Sequence, residues 1–294
     1  MFIDAIKKVA SYTRAIHSIA RYQGSALVIP SAATLFFVNS DGWALTCKHV
    51  AQQVLAADQL SLRYAEFKSK SANTALEPHA KQLIRKLQTQ YGFTHGELVQ
   101  LLFRFMNCIE GSLDVDVMYH SELDVALLHF KRFTKLLCDD FPTFAKSDSD
   151  LKQGMYICRL GFPFAEFSNF TYDDRNDRIA WTDSGRIDTP SFPVDGMVTR
   201  HLVDQNGQMT GFEVSTPGLR GQSGGPAFDS DGRVWGMQYE TNHLDLDFDV
   251  DIEVIRMGQK RKVHHSAVLQ VGHCVHVSVL KAFMRQHKVS YNEG

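Results

Sequence analysis

A serine in a glycine-rich stretch is the first residue of this sequence that could do covalent chemistry. Ser223 lies within Gly218-Leu-Arg-Gly-Gln-Ser-Gly-Gly-Pro226, and glycine suits backbone that must bend sharply or approach a ligand closely. Such a turn exposes the hydroxyl while neighbouring backbone N–H groups point into one small space. Acyl transfer needs both a nucleophile and fixed donors for the negative oxygen of the tetrahedral intermediate. An ordinary hairpin loop is the alternative interpretation.

A histidine and an aspartate occur in contexts that would suit such a serine. His49 follows the turn signal Asn39-Ser-Asp-Gly42 and a short strand, so it lies where a strand ends and a helix begins. Asp124 stands at the start of an apolar strand. Alone, His49 would be one ordinary histidine among thirteen and Asp124 an ordinary acid at a strand edge or turn. Catalytic triads, however, assemble in space from distant chain positions. The combination with Ser223 predicts a Ser-His-Asp arrangement.

These three contexts resemble the trypsin-like peptidases. Residues 34–51 resemble the histidine hairpin of that family, Asp124-Val-Ala-Leu-Leu128 resembles its aspartate strand, and residues 221–226 (GQSGGP) resemble its nucleophile loop. The three motifs follow the family's order within residues 24–287. Bacterial HtrA-type and stand-alone proteases without a PDZ domain are the branch that this chain resembles most.

The resemblance implies a mainly β fold of two six-stranded antiparallel barrels with the active site in the cleft between them. Many short strands separated by turn signals independently favour a β barrel or sandwich. We expect an N-terminal amphipathic helix over residues 1–23, a peptidase domain over residues 24–287 and a C-terminal tail over residues 288–294. Apolar spacing predicts an inserted helical hairpin at about residues 75–108 and a short helix at residues 278–287.

The resemblance also implies a role for each matching residue. Ser223 would be the nucleophile, His49 the general base that later protonates the leaving amine, and Asp124 the residue that holds the imidazole tautomer. The backbone N–H groups of Gly221 and Ser223 would form the oxyanion hole. Gln222 stands where zymogen-activated relatives carry an aspartate that pairs with a newly cut N-terminus, so we do not expect activation by N-terminal cleavage.

The resemblance further implies a pocket for the side chain that precedes the scissile bond. Pro217 would lie at its floor, where an acid would select lysine or arginine. Gln238, Tyr239 and Glu240 would form one wall and His273 another. Glu240 could attract a basic substrate residue and His273 an acidic one. Because Pro217 stands there, the acid that selects lysine or arginine is absent, and a small or medium apolar residue is the default expectation.

Composition restricts the partners and the compartment. A net charge of −2 over 294 residues gives no overall basic field for nucleic acid or an anionic membrane. No apolar run approaches the roughly 18 residues of a membrane-spanning helix. Five widely spaced cysteines without a Cys-x-x-Cys pair indicate reduced thiols in a cytoplasmic setting and no structural zinc site. We expect no cofactor, no metal, no nucleic acid partner and no membrane span.

Alternating acids near residue 250 have no family counterpart that we can place. If this segment is a strand, the acids share one face; they are Asp245, Asp247, Asp249, Asp251 and Glu253. A solvated strand face, a docking strip for a basic substrate and a weak Ca²⁺ site remain as alternatives. An EF-hand loop does not fit, because Val250 stands where its glycine is required.

The sequence therefore predicts a serine endopeptidase that hydrolyses protein or peptide substrates through an acyl-enzyme. Two alternatives remain open. One is a protease-fold module that recognises a peptide without cutting it. The other is a protease that stays inactive until a regulatory partner or ligand binds, with the N-terminal or inserted helices as the switch. The sequence indicates no oligomeric state.

Overall fold

A computed structural model describes residues 2–256 and 258–294, and strands dominate it. In chain order the helices and strands are α1 (Ile3–Tyr12), β1 (Thr13–Tyr22), β2 (Val28–Phe37), β3 (Trp43–Thr46), α2 (Lys48–Thr74), α3 (Ala80–Tyr91), β4 (Leu98–Phe105), β5 (Ile109–Tyr119), β6 (Ala126–Leu136), β7 (Thr143–Phe144), β8 (Tyr156–Gly161), β9 (Phe170–Asp173), β10 (Arg178–Trp181), β11 (Phe192–Val203), β12 (Met209–Val214), β13 (Pro226–Phe228), β14 (Arg233–Arg256), β15 (Gln259–His276), α4 (Val277–Gln286) and β16 (Asn292–Glu293). The expectation of a mainly β chain with helices at both ends is confirmed.

The first sheet contains six antiparallel strands in the order β4-β1-β2-β3-β6-β5. The turn between β2 and β3 forms where the sequence predicts it, because Asn39 accepts the N–H of Asp41 at 3.1 Å and Gly42 has a φ of +85°. A Cβ at Gly42 would lie 2.6 Å from the carbonyl oxygen of Phe130, so only glycine fits there. The sheet has the expected number of strands, but no ladder within the described residues joins β4 to β5.

The second sheet contains a closed ring. Its strands follow the order β13-β8-β11-β12-β15-β14, and a further ladder joins β13 to β14. These six antiparallel strands therefore form a barrel without free edges. The short strands β7 and β16 extend β14 by parallel pairing, so the C-terminal residues lie against the second barrel.

The two sheets share one hydrophobic core. Phe36 and Phe37 of the first sheet and Phe212 and Phe228 of the second are fully buried in the same cluster. Burying one such side chain contributes roughly 1.5–3 kcal/mol. Common packing of this kind holds the serine loop of the second sheet against the histidine hairpin of the first.

The N-terminal helix is shorter than expected. Residues 1–23 were expected to be helical, but α1 ends at Tyr12 and Thr13–Tyr22 is strand β1. Ile16 and Ile19 have helical spacing, but in this strand they point to opposite faces and pack in two different apolar clusters. Pairing on both edges, to β2 and β4, decides the conformation.

The inserted helical hairpin is present but lies earlier in the chain than expected. We expected two helices within residues 75–108, whereas α2 covers Lys48–Thr74, α3 covers Ala80–Tyr91 and Leu98–Phe105 is strand β4. Much of α2 is exposed, so its sequence has little hydrophobic periodicity to reveal it. The apolar residues of β4 have helical spacing, but this segment pairs with β1 as a strand. Among the described residues, no helix combines the length and the apolarity needed to cross a membrane.

The acidic segment belongs to a long antiparallel hairpin made by β14 and β15. Its ladder is interrupted between Asp245 and Asp249, and Asp247 has a φ of +56°, so the strict alternation predicted for the acids is broken. His264 lies 3.1 Å from Asp249 and 3.0 Å from Asp251. Cross-strand pairing therefore involves part of the acidic run, as on an ordinary solvated strand face.

Candidate active site

His49 lies at the start of α2, directly after β3. The residue before the helix, Cys47, is extended with a ψ of 144°, so the chain turns sharply from strand to helix. β3 pairs with β6, and Thr46 lies opposite Ala126 in this ladder. Because the two strands are antiparallel, the residue after one and the residue before the other meet at the same end. This brings His49 beside Asp124.

Asp124 makes two hydrogen bonds to His49. Its Oδ1 accepts the backbone N–H at 2.9 Å, and its Oδ2 lies 2.6 Å from Nδ1 of the ring. Since a carboxylate only accepts, this contact places the ring proton on Nδ1 and leaves Nε2 as the acceptor. Burial acts to raise the pKa of Asp124, but the bonds from His49 outweigh it and leave that pKa below its ordinary value.

The serine loop is fastened to both sheets. Ser223 accepts the backbone N–H of Thr34 at 3.0 Å, and the hydroxyl of Thr34 donates to the carbonyl oxygen of Gly221 at 2.8 Å. On the other side, Gly224 donates its N–H to the carbonyl oxygen of Gln238 at 2.9 Å. Ser223 therefore lies at the junction of the two sheets. The glycines of the motif are required by geometry as well, because a Cβ at Gly224 would overlap the carbonyl oxygen of Thr34.

The same loop lies close to the histidine hairpin. The hydroxyl of Thr46, three residues before His49, donates to the carbonyl oxygen of Thr34 at 2.7 Å. Thr34 therefore contacts both the Ser223 loop and the strand that leads to His49. Within the described residues, however, the Ser223 hydroxyl makes no hydrogen bond to the imidazole. The structure joins two of the three predicted residues directly and links the loop of the third, through Thr34, to the strand before His49.

Two backbone N–H groups of the serine loop make no hydrogen bond within the described residues. Gln222 and Gly225 donate theirs to carbonyl oxygens at 2.9 and 2.8 Å, and Gly224 donates across the loop. Within the described part of the chain, the N–H groups of Gly221 and Ser223 have no acceptor. Gly221 has a φ of +103°, which orients its peptide as few other residues could. Two preorganised donors are what a tetrahedral intermediate requires.

Gln222 holds the loop from inside the barrel. Its side chain is fully buried, its Oε1 accepts the N–H of Leu219 at 3.0 Å, and its Nε2 donates to the carbonyl oxygen of Phe192 at 3.1 Å. Both ends of the neutral amide therefore have partners within the chain. This arrangement fits the expectation that the loop does not depend on a newly cut N-terminus.

One trio of side chains near the site has the composition of a metal centre. Ligand atoms of Cys47, His49 and Asp124 lie within 4.8 Å of one another. The Nδ1 of His49 is already bonded to Asp124 at 2.6 Å, which leaves no room for an ion between them. Burial raises the pKa of the Cys47 thiol well above its ordinary value, so the thiol stays protonated and is a poor ligand. The trio fits a hydrogen-bonded pair beside a buried thiol better than a metal site.

The residues expected to line the substrate pocket divide into two groups. Gln238 is buried inside the second barrel, close to the carbonyl group of Pro217. Tyr239 packs 6.1 Å from the ring of His273, whose Nδ1 lies 3.8 Å from the exposed carboxylate of Glu240. The first group faces the serine loop, and the second forms a cluster on neighbouring strands.

The structure adds one residue that the sequence reasoning missed. Arg159 of β8 is fully buried, and its guanidinium donates to Gln238 and Pro217 among others. An arginine within the otherwise apolar run Tyr156–Gly161 was the available signal, because charged side chains are almost never fully buried unless they are paired.

Comparison with known proteins identifies the family. The model of the trypsin-like peptidase domain matches residues 33–237, a segment that contains His49, Asp124 and Ser223. The search of curated proteins finds no match. Among solved structures, the active form of the Rv3671c protease from M. tuberculosis is 11% identical, with 99% of this chain and 86% of that chain covered and a TM-score of 0.47.

A second solved structure is the HtrA-type protease AlgW with a tripeptide. It is also 11% identical, with 97% of this chain covered and a TM-score of 0.46. This chain spans 63% of the AlgW chain. The family assignment rests on the domain match, which extends over most of the chain and includes every motif that first indicated it. This chain belongs to the family of trypsin-like peptidase domains.

Proposed function

We propose that this protein is a serine endopeptidase in which Ser223, His49 and Asp124 act together. The observation that carries the proposal is the pair of hydrogen bonds that His49 donates to Asp124, at 2.9 and 2.6 Å. They fix the imidazole with Nε2 free to accept a proton, on a hairpin that contacts the Ser223 loop. A general base held in one tautomer beside a serine is the arrangement that acyl transfer needs.

The chemical steps follow from these positions. The Ser223 oxygen attacks the carbonyl carbon of the scissile peptide while its proton passes to Nε2 of His49. The negative oxygen is bound by the N–H groups of Gly221 and Ser223. The intermediate then expels the amine, which takes the proton from His49, and a water molecule hydrolyses the acyl-enzyme by the same route. Asp124 stabilises the imidazolium without accepting its proton.

A serine-directed fluorophosphonate tests the proposal directly. The purified protein should be labelled and should cleave peptides, and Ser223→Ala should abolish both. Ser230→Ala is a matched control, because Ser230 is exposed in the turn that follows β13. Unchanged labelling of the Ser223→Ala variant would remove this residue from the role.

A regulated protease, inactive until a partner or ligand binds, is the second candidate. It is favoured by the Ser223 hydroxyl, which makes no hydrogen bond to His49 within the described residues. Catalytic hydrogen bonds are often loose before substrate binds, so the same observation also suits a constitutive enzyme. Labelling that appears only in cell extract, and not with the purified chain, would select the regulated form.

The five cysteines support a reducing, cytoplasmic setting for this activity. All five thiols are free and buried. Burial raises the pKa of Cys108, Cys138, Cys158 and Cys274 as well as that of Cys47, which makes them unreactive. Fractionation of cells that express the chain, followed by fluorophosphonate labelling of each fraction, tests this location. Labelled protein should appear in the cytoplasmic fraction.

A further inference from the structure

A buried cation without an anionic partner lies behind the serine loop. Arg159 is fully buried, its Nε has no acceptor, and within the described residues no carboxylate lies in ion-pair range of its guanidinium. Proteins normally pair a buried charge, because removing it from water is costly. Burial accordingly lowers the pKa of Arg159. A buried guanidinium that has only neutral acceptors is chemically suited to an anionic ligand.

The acceptors that surround the guanidinium are all neutral. Nη1 donates to Oε1 of Gln238 at 2.7 Å, and Nη2 donates to the carbonyl oxygen and the hydroxyl of Thr216 at 3.0 and 2.6 Å and to the carbonyl oxygen of Pro217 at 3.3 Å. The nearby acid Glu213 is directed elsewhere, to Arg200 at 2.6 Å. These contacts orient Arg159 without pairing it with a carboxylate in the described residues.

This guanidinium is linked directly to the nucleophile loop. Pro217 lies six residues before Ser223 in the same loop. Gln238, which accepts from Arg159 through its side chain, also accepts from Gly224 through its backbone at 2.9 Å. Gln238 therefore accepts hydrogen bonds both from Arg159 and from Gly224, the residue after the nucleophile.

Two glycines make room for the pair formed by Arg159 and Gln238. A Cβ at Gly272 would overlap Nη1 of Arg159, and a Cβ at Gly218 would overlap Nε2 of Gln238. Gly218 belongs to the serine loop and Gly272 to β15, so both segments lack side chains at the point where they face these two polar groups. The surroundings of Gly218 and Gly272 are therefore polar and positively charged, unlike the apolar pocket expected from the sequence.

We propose that Arg159 selects an acidic side chain, aspartate or glutamate, immediately before the scissile bond. This inference rests on the proposed peptidase function and names its substrate class. The substrate carboxylate takes the place of Gln238 Oε1 on Nη1, and the Gln238 amide turns to donate from Nε2. Guanidinium and carboxylate groups match in geometry and form strong charge-assisted hydrogen bonds. A basic substrate residue is excluded by charge.

A set of matched peptides tests this proposal on the full chain. The peptides share their flanking residues and carry Glu, Asp, Gln, Ala or Lys before the scissile bond. We expect kcat/KM for Glu or Asp to exceed that for Gln by about 100-fold, since a site built for a charged partner strongly rejects a neutral analogue. Arg159→Met should remove the preference. Arg159→Lys, which keeps the charge but not its planar geometry, should retain part of it.

Arg186→Met is the control, because Arg186 pairs with Glu166 in an ion pair whose two side chains are both exposed. It should leave the preference for acidic residues unchanged. Equal cleavage after Gln and Glu, cleavage mainly after Ala, or an acidic preference that survives in Arg159→Met would each overturn the assignment of Arg159.

Two further measurements separate this inference from the proposed function. Fluorophosphonate labelling of Ser223 does not depend on a substrate side chain, so labelled Arg159→Met protein shows that the variant is folded and its nucleophile intact. Binding of the Glu and Gln peptides to Ser223→Ala protein needs no catalysis. At least tenfold tighter binding of the Glu peptide, lost when Arg159→Met is added, supports the inference even if the chain cleaves nothing. Equal binding overturns it.

Discussion

The backbone N–H of Thr34 donates to the carbonyl oxygen of Ser223 at 3.0 Å, across the junction of the two sheets. The Thr34 hydroxyl makes a second connection, donating to Gly221 at 2.8 Å and accepting the N–H of Phe162 at 3.2 Å. The first sheet thus holds the serine loop as well as the histidine.

Replacing Thr34 by valine should loosen the serine loop. The change keeps the shape but leaves a buried C=O and a buried N–H without partners, which costs about 1–3 kcal/mol of unfolding free energy. We expect a loss of about tenfold or more in kcat/KM, since the oxyanion donors belong to the same loop. Thr210→Val is the control, because the Thr210 hydroxyl donates to the carbonyl oxygen of Leu202 on a neighbouring strand. Equal effects on activity in the two variants would contradict the role of Thr34.

Replacing Asp124 by asparagine should lower kcat by about 10⁴, because the amide can donate to Nδ1 and favour the wrong imidazole tautomer.

The same substitution should change the pH dependence of the unfolding free energy. The pKa of Asp124 is lowered in the folded protein, so this group contributes stability that is present above the ordinary aspartate pKa and is lost as the pH falls through the lowered folded value.

Urea unfolding between pH 7 and pH 2 measures this contribution. The wild-type curve should fall more steeply in the acid range than the curve of Asp124→Asn. Identical pH dependence in the two proteins would show that the contact with His49 does not perturb the carboxylate.

Replacing Gly221 by alanine should disable the oxyanion hole without unfolding the protein. The residue has a φ of +103°, and a Cβ would lie 2.5 Å from the carbonyl oxygen of Phe162, so the loop must move. Loss of one oxyanion donor typically costs 10²–10³ in kcat, or about 2.7–4 kcal/mol. Gly207→Ala is the matched control, since Gly207 has a φ of +76° with nothing within 4 Å of its Cβ position. Similar kcat values for the two variants would count against the assignment.

Asp177 tests whether the inserted helices act as a switch. Its carboxylate contacts Arg21 at 2.6 Å, the hydroxyl of Tyr64 on α2 at 2.6 Å and the hydroxyl of Tyr172 at 2.9 Å. Asp177→Asn leaves the buried Arg21 without an anion and should lower stability by up to about 3 kcal/mol. Hydrogen exchange in α2 should speed up.

Ser223 labelling should nevertheless remain unchanged in Asp177→Asn, because the later part of α2 packs with α3 in a small core of its own around Tyr64 and Phe67. The first turn of α2, which carries His49, packs in the main core through Val50 and Ala51. Asp174→Asn, an exposed change in the same β9–β10 hairpin, should affect neither exchange nor labelling. A folded Asp177→Asn protein that loses labelling would instead identify the inserted hairpin as a regulatory element.

The elements that carry the site could be predicted from the sequence because their signals are local. The turn at residues 39–42 fixes the hairpin before His49, and the apolar run after Asp124 fixes β6. Strands β1 and β4 could not be predicted in the same way. The spacing of Ile16 and Ile19, like that of Leu98, Leu101 and Leu102, fits a helix, yet in the strands these side chains lie on both faces. Only pairing between distant segments decides the conformation.

Arg159 shows a different limit of sequence reasoning. An arginine in a short apolar run does not reveal whether its side chain reaches solvent or the barrel interior. Its position depends on Gly272, more than a hundred residues later, and on Gln238, which accepts its hydrogen bond. The surroundings of Arg159 therefore form only when β8, β14 and β15 come together in the second barrel.

The most direct test of the central claim is to locate the fluorophosphonate adduct by peptide mass spectrometry. Purified protein should carry one adduct, on Ser223, and His49→Ala should lower the labelling rate by on the order of 10³ or more while leaving the protein folded. An adduct on another residue, or labelling of Ser223 that proceeds equally fast without His49, would contradict the proposal that these residues form one catalytic unit.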